Sequence, residues 1–382
     1  MASIFTDFCK LLSSAHKSMI TIKDCVLITD VGSVDIDDVL ATLMLITNGN
    51  VDIKGIISSH HYSDERAKQI KLLTGQFGRD DIPIYVGHGI PYQTTNSEKD
   101  RATFIRENPL FPLNIFGAPV SIKQDGERQW YPNFSKAFND EFTEEYVSQL
   151  ETVTDSDFLE NLLRQYSPEN KLSVICIAPP HDLAKIPVEL YPNMDLWCMG
   201  GGFEDLDHID EESGVIPVTE AGYNWGITPA ITNQVLNKLT ASNTMMTLIS
   251  SKIVRKFDVS IPLETYEKWD ALASAQSQSE HNMFRAIMTE WQNSNRGNKL
   301  KAHKNMCDPL VVHLFANDTP FEYINVTAKC DETQNDKGSY LITSDLISMV
   351  HSADNANVRL VTGFDRDVIL NQMLCHLNSL LK

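Results

Sequence analysis

Apolar and polar positions fall into blocks along the chain. After a polar lead-in, a short apolar run from Cys25 to Thr29 ends at Asp30 and an acidic turn. Asp37 and Asp38 then open a helical pattern through Val39, Leu40, Leu43 and Leu45, which Asn48-Gly49-Asn50 stops. The run Val51 to Ser58 predicts a second strand, the pattern from about Asp64 to Gly75 a second helix, and Ile84 to Val86 a third strand. The rhythm resumes later with a helix near Asp157 to Tyr166, a strand Leu172 to Ile177, a helix from Asp182 and a strand Asp195 to Met199. A helix from about Thr228 to Leu239 and a strand near Met245 to Ile249 follow. Towards the C-terminus the pattern predicts helices over Pro262 to Asn293 and from Asp308 to Phe315, strands near Tyr323 to Cys330 and Val358 to Val361, and an amphipathic helix from Arg366. Strands alternating with helices of this length imply right-handed crossovers. The fold class is therefore α/β, a mostly parallel central sheet with helices on both faces, Rossmann-like.

The stretch from about 92 to 154 breaks this rhythm, being rich in Pro, Asn, aromatic and charged residues, and reads as a lid-like insertion. No repeat or low-complexity linker divides the chain, so residues 1–382 are expected to form one domain carrying that insertion. With 32 Lys+Arg against 51 Asp+Glu, the net charge is −19. That balance argues against nucleic-acid or anionic-membrane partners, which require a basic footprint, and points to small molecules or metal cations. No apolar run approaches the length of a membrane span, and Asp7, Lys10 and Lys17 interrupt any signal-peptide core. Seven dispersed cysteines without a CxxC pair read as reduced thiols, so a cytoplasmic location is expected.

The segment from Asp30 to Asp38 places four carboxylates, Asp30, Asp35, Asp37 and Asp38, within nine residues. It follows the first parallel strand, and ligands of open α/β sheets bind at the carboxyl ends of the strands. Crowded carboxylates repel one another and stay protonated unless a cation neutralises them, and a hard divalent ion with oxygen ligands is the natural partner. Capping and helix-dipole effects would account for Asp35, Asp37 and Asp38 without chemistry, but least of all for Asp30, which ends a buried strand.

Here the chain resembles a known family. Ile28-Thr29-Asp30-Val31-Gly32 leading to Asp37-Asp38-Val39-Leu40-Ala41 is similar to the aspartate-rich N-terminal signature of the inosine-uridine-preferring nucleoside hydrolases. Further matches follow in order: the strand Ile53 to Ser58, Asp81-Ile82-Pro83-Ile84-Tyr85-Val86-Gly87, Ala178-Pro179-Pro180-His181-Asp182-Leu183-Ala184, Met199-Gly200-Gly201, Tyr223-Asn224 with Pro229, and Cys307-Asp308-Pro309. The resemblance implies a nucleoside hydrolase-like fold and hydrolysis of a ribonucleoside to ribose and free base, in the service of purine or pyrimidine salvage. It implies a Ca²⁺ cofactor held by Asp30, Asp38, Asp308 and the main-chain carbonyl of His181. In the same way it makes Asp30 the base that activates water, gives ribose hydroxyls to Asp37, gives the sugar to Asn224, and puts Met199 beside the substrate. A nucleoside is then the small-molecule partner. The family also implies dimers or tetramers, although no interface signature is legible.

Several positions depart from the family pattern. Four residues separate Gly32 from Asp37, more than usual, so either the loop is expanded or Asp35 takes the ribose role given to Asp37. Ser59-His60-His61 stands where a Gly-Asn is usual, and His60 could bind sugar, donate a proton to the leaving base or sit on the surface. Gly222 replaces a glutamate before Tyr223-Asn224, leaving Glu220 as a substitute. Cys307 replaces a histidine linked to leaving-group activation. A thiol with pKa of about 8.5 donates poorly to a base, so Cys307 reads as a small buried hydrophobe. Trp225, Trp269 and Trp291 read as core or rim residues before stacking platforms.

The metal shell is thus kept and the base-recognition shell altered, which points to an atypical substrate or attenuated activity. The alternative to a hydrolase is a catalytically weakened nucleoside-binding or regulatory protein. A phosphatase with Asp30 as nucleophile is a third reading, and it lacks a convincing lysine on a downstream strand end.

Overall fold

The structure is a computed structural model. It describes residues 22–31, 36–60, 63–88, 150–201, 215–216, 222–226, 229–265, 267–269, 304–330, 347–351 and 356–380. The first half alternates as the pattern requires: β1 (Lys23–Thr29), α1 (Asp37–Ile46), β2 (Val51–Ser58), α2 (Ser63–Gln76) and β3 (Ile84–Val86). After residue 150 come α3 (Phe158–Leu163), β4 (Leu172–Cys176), α4 (His181–Lys185) and, past a 3-10 turn at Val188–Asn193, β5 (Met194–Met199). The remaining elements are β6 (Val215–Ile216), α5 (Gly222–Gly226), α6 (Pro229–Ala241), β7 (Met246–Ile249), α7 (Ser251–Lys256), β8 (Ser260–Ile261) and β9 (Lys304–Asn305). Then follow α8 (Cys307–Ala316), β10 (Phe321–Cys330), β11 (Ile347–His351), β12 (Val358–Phe364) and α9 (Arg366–Ser379).

The ten strands of the main sheet run in the order β3-β2-β1-β4-β5-β7-β12-β10-β11-β6. Every pairing from β3 to β12 is parallel, and the last three, from β12 to β6, are antiparallel. Chain order explains the site. The chain builds outward from β1 through β2 to β3, then returns to lay β4 on the other flank of β1, in register from Cys25↔Ser173 to Ile28↔Cys176. Crossovers on the two flanks of β1 run to opposite faces, so the loops after β1 and β4 diverge and open a crevice at the carboxyl edge.

Side chains of β1 alternate between two buried clusters. Cys25 and Leu27 join α1, α2, α8 and α9 on one face, while Val26 and Ile28 join α3, α4 and α6 on the other. Burial on both faces is why β4 and the second half of β1 read as nearly unbroken apolar runs. The predicted mostly parallel sheet with helices on both faces is present. The antiparallel β11 and β6 carry no strong periodic signal and were not anticipated, nor was the short α7. Ser250 caps α7, its side chain accepting from the Ile253 N–H. The insertion proposed at about 92–154 lies outside the described residues except at its end, where Val153 bridges Tyr85. The helix expected over Pro262 to Asn293 also falls largely outside them.

Candidate active site

Asp37 and Asp38 occupy the first turn of α1, behind an N-cap, Ile36, that makes no side-chain capping bond. Both are buried. Oδ1 of each accepts from groups outside α1. Asp38 Oδ1 accepts from the Thr29 hydroxyl at 2.6 Å and from the Asp30 N–H at 3.2 Å. Asp37 Oδ1 accepts from Lys304 Nζ at 2.8 Å, an ion pair with side chains only 11% and 7% exposed.

Asp308 arrives on the first turn of α8, a helix packed against α1, and it too is buried. Ligand oxygens of Asp37, Asp38 and Asp308 lie within 4.8 Å of one another. Burial, then the charges of Asp37, Asp38 and Asp30, push the Asp308 carboxyl well above the ordinary aspartate range, with Lys304 opposing them. Its Oδ1 is buried without a hydrogen-bond partner. An orphaned carboxylate oxygen facing two other buried carboxylates is costly unless a cation completes it. The hard oxygen donors suit a divalent ion such as Ca²⁺ or Mg²⁺, so these residues could hold one.

Asp30, the first of the predicted ligands, is half-buried and stands outside this trio, reaching Asp308 through its field. The Arg66 guanidinium on α2 donates to the main-chain carbonyls of Asp30 and, at 2.6 Å, of Val31, tying down the turn after β1. Asp35 lies outside the described residues, as do His61, Glu220 and Trp291.

Across the crevice, the Ile177 N–H continues the pairing with the carbonyl of Ile28 at 2.9 Å. Asn224 on α5 is buried and donates from Nδ2 to the Ile177 carbonyl at 2.8 Å, with the Met199 carbonyl and Sδ each 3.5 Å away. Gly222, where a glutamate is usual in the resemblance, has φ +67°, the left-handed region that a side chain disfavours. Gly200 lets the Trp225 indole lie on the backbone, since a Cβ there would fall well inside contact distance of Nε1. Trp225 and Trp269 are both buried, and Trp269 donates to Asn378 Oδ1 at 2.6 Å.

His60 follows β2 with φ +69° and is buried, which removes the surface reading of that histidine. Its ring centroid lies 5.9 Å from that of His181, and burial pushes the His181 imidazole down to about 4. His88 was not singled out in the sequence. Its N–H and Nδ1 approach Asp182 Oδ1 at 2.8 and 2.9 Å. Cys307 is buried at the start of α8, as expected of a small hydrophobe. The six described cysteines are unbridged. Lys304 and Arg66 were also missed, because a single basic residue carries no local mark of the partner it meets in the fold.

The model of the inosine-uridine preferring nucleoside hydrolases matches residues 25–371. No curated protein sequence matches the chain. Among solved structures, an inosine-uridine preferring nucleoside hydrolase from Bacillus anthracis superposes with a TM-score of 0.55 at 15% identity, covering 94% of this chain and 99% of that one. A plant nucleoside hydrolase gives 0.61 at 13% identity, covering 93% and 98%. A purine-preferring ribonucleoside hydrolase from Gardnerella vaginalis gives 0.57 at 14%, covering 94% and 99%. At such identities the structural likeness shows the fold.

Proposed function

Because the chain belongs to the inosine-uridine preferring nucleoside hydrolase family over residues 25–371, we propose that it cleaves the N-glycosidic bond of a ribonucleoside, releasing ribose and free base. The observation that carries this reading is the buried meeting of Asp37, Asp38 and Asp308, with one Asp308 oxygen unsatisfied. We assign Asp38 and Asp308, with Asp30 and the carbonyl of His181, to a calcium ion. Bound there, the ion supplies positive charge that neutralises the carboxylates and acidifies a nearby water.

The protein's own groups do the rest. Asp30, half-buried at the end of β1, accepts the proton of the attacking water at its carboxylate. Asp37 accepts hydrogen bonds from ribose hydroxyls, and Asn224 fixes the sugar edge against Met199. Cleavage builds positive charge on the sugar, so a wall of carboxylates binds the transition state more tightly than the ground state. His60, buried beside His181, borders the base, and Glu220 serves as the substrate-binding substitute for the glutamate missing at Gly222. The Cys307 thiol contributes packing rather than a proton. Residues 1–382 act as one cytoplasmic domain, assembled as a homo-oligomer. Among the described residues no helix is long and apolar enough to cross a membrane.

The test is a panel of purine and pyrimidine nucleosides assayed for reducing sugar, with and without a calcium chelator. Chelator-sensitive release supports the proposal. Binding without release would support the weakened, nucleoside-binding reading, which the altered positions Ser59-His60-His61, Gly222 and Cys307 favour. Phosphate release from phosphoesters would support neither.

A further inference from the structure

Asp37 and Asp38 are adjacent in sequence, both buried, and both within 4.8 Å of Asp308. By charge and donor type they are equivalent ligands for a cation. What separates them is the group each already holds. Oδ1 of Asp38 accepts from neutral donors, the Thr29 hydroxyl and the Asp30 N–H, whereas Oδ1 of Asp37 accepts from a full charge, the ammonium of Lys304. A carboxylate gripped by neutral donors keeps its field for an incoming cation. One neutralised by an ammonium has spent it, and a divalent ion bound to it would sit beside a like charge.

Lys304 is not a loose surface group that happens to reach the site. It lies on β9, which pairs antiparallel with β8 through Ile261↔Lys304 and Ser260↔Asn305. The next residue but one, Met306, donates its N–H to the Val259 carbonyl at 2.9 Å. Asp308 follows in the first turn of α8, so the ammonium and a predicted ligand ride on one braced segment. Removing either partner of an ion pair this buried leaves an uncompensated charge, which keeps Lys304 on Asp37.

We propose that Lys304 divides the labour of the two adjacent aspartates, holding Asp37 out of the cation shell for use on the substrate and setting the affinity of the site for a divalent ion lower than the three carboxylates alone would give. This rests on the reading of Asp38 and Asp308 as ligands.

The experiment titrates Ca²⁺ into the metal-stripped full-length protein by calorimetry, comparing wild type, Lys304→Met, Asp37→Asn with Lys304→Met, and Asp308→Asn. Lys304→Met is expected to bind Ca²⁺ at least about tenfold more tightly, because a like charge near the ion is gone and Asp37 is released to it. The double variant removes no net charge and no ligand, and is expected to return to within about threefold of wild type. Lys304→Arg keeps the charge and should keep the wild-type affinity. In steady-state assays Lys304→Met should raise KM more than it changes kcat.

Unchanged or weaker Ca²⁺ binding by Lys304→Met overturns the proposal while leaving the calcium reading intact. Should that variant fail to fold, the double variant decides: a loss of tenfold or more would mean that Asp37 is itself a ligand in the wild type, which overturns the proposal. A wild type that binds no Ca²⁺, or an Asp308→Asn variant that binds it as well as wild type, overturns the calcium reading first and this proposal with it.

Discussion

Asp308 should destabilise the metal-free protein, and replacing it with asparagine should make that visible. At an effective dielectric of 20, two ionised carboxylates 4.8 Å apart repel by about 3.5 kcal/mol. Asp308 faces two such neighbours, Lys304 offsets part of one, and burial adds a further penalty. The protein can escape by keeping Asp308 protonated. Relative to an unfolded chain with an ordinary value of 3.8, holding that proton at pH 7 costs at most about 4 kcal/mol. That figure is a ceiling, since the folded state takes whichever route costs less. The sign follows from proton counting. The folded protein binds more protons than the unfolded chain above pH 3.8, so stability falls as pH rises from there towards the raised folded value.

Asp308→Asn mimics the protonated form. In chelator at pH 7 it should therefore gain between about 1 and 4 kcal/mol of unfolding free energy, and at pH 5 no more than about 2 kcal/mol. The same variant should lose the stabilisation that saturating Ca²⁺ gives wild type. Urea unfolding under these four conditions, both pH values with chelator and with Ca²⁺, measures them all. A variant less stable than wild type in chelator that still responds fully to Ca²⁺ would refute the picture of an orphaned, cation-seeking carboxylate.

Asp30→Asn should cut sugar release by at least about a hundredfold while far-ultraviolet circular dichroism stays at wild type; full retained activity would remove Asp30 as the base. Gly200→Ala drives a methyl group into the Trp225 indole. It should cost about 1–3 kcal/mol by urea unfolding and raise KM through the neighbouring Asn224, and an unchanged midpoint would contradict the close packing. His313 is buried between Gln372 and Asn317, and burial holds its imidazole down at about 4 against an ordinary 6.5. The unfolded chain therefore takes up a proton that the folded protein refuses, and stability should fall by about 1.4 kcal/mol per pH unit as pH drops from 6.5 towards 4. His313→Gln should flatten that part of the pH–stability curve, and an unaltered slope would assign it to other groups.

Much of the fold was written locally. An apolar run buried on both faces can only be an interior strand of a covered sheet, so β1, β4 and β5 were legible, as were α1 and α8 from their apolar spacing. The acidic cluster was legible for the same kind of reason, since carboxylates gathered at a strand end need a cation or a proton wherever the rest of the chain goes. What local pattern could not carry was partner choice. Nothing around Lys304, Arg66 or His88 marks them in sequence, and a lysine buried to 6% exposure runs against what its type usually does.

Asp37 and Asp38 show the division most sharply. Their type, spacing and place at a helix start come from the chain itself, and so does the expectation that one of them meets a cation with Asp308. Which of the two meets an ammonium was decided by the fold, which brings Lys304 on β9 to Asp37. That depends on contacts 267 residues apart in the chain. Periodicity records which side of an element is dry, a property of neighbours a few residues away. The charge an aspartate meets across a closed core is a property of the assembled fold.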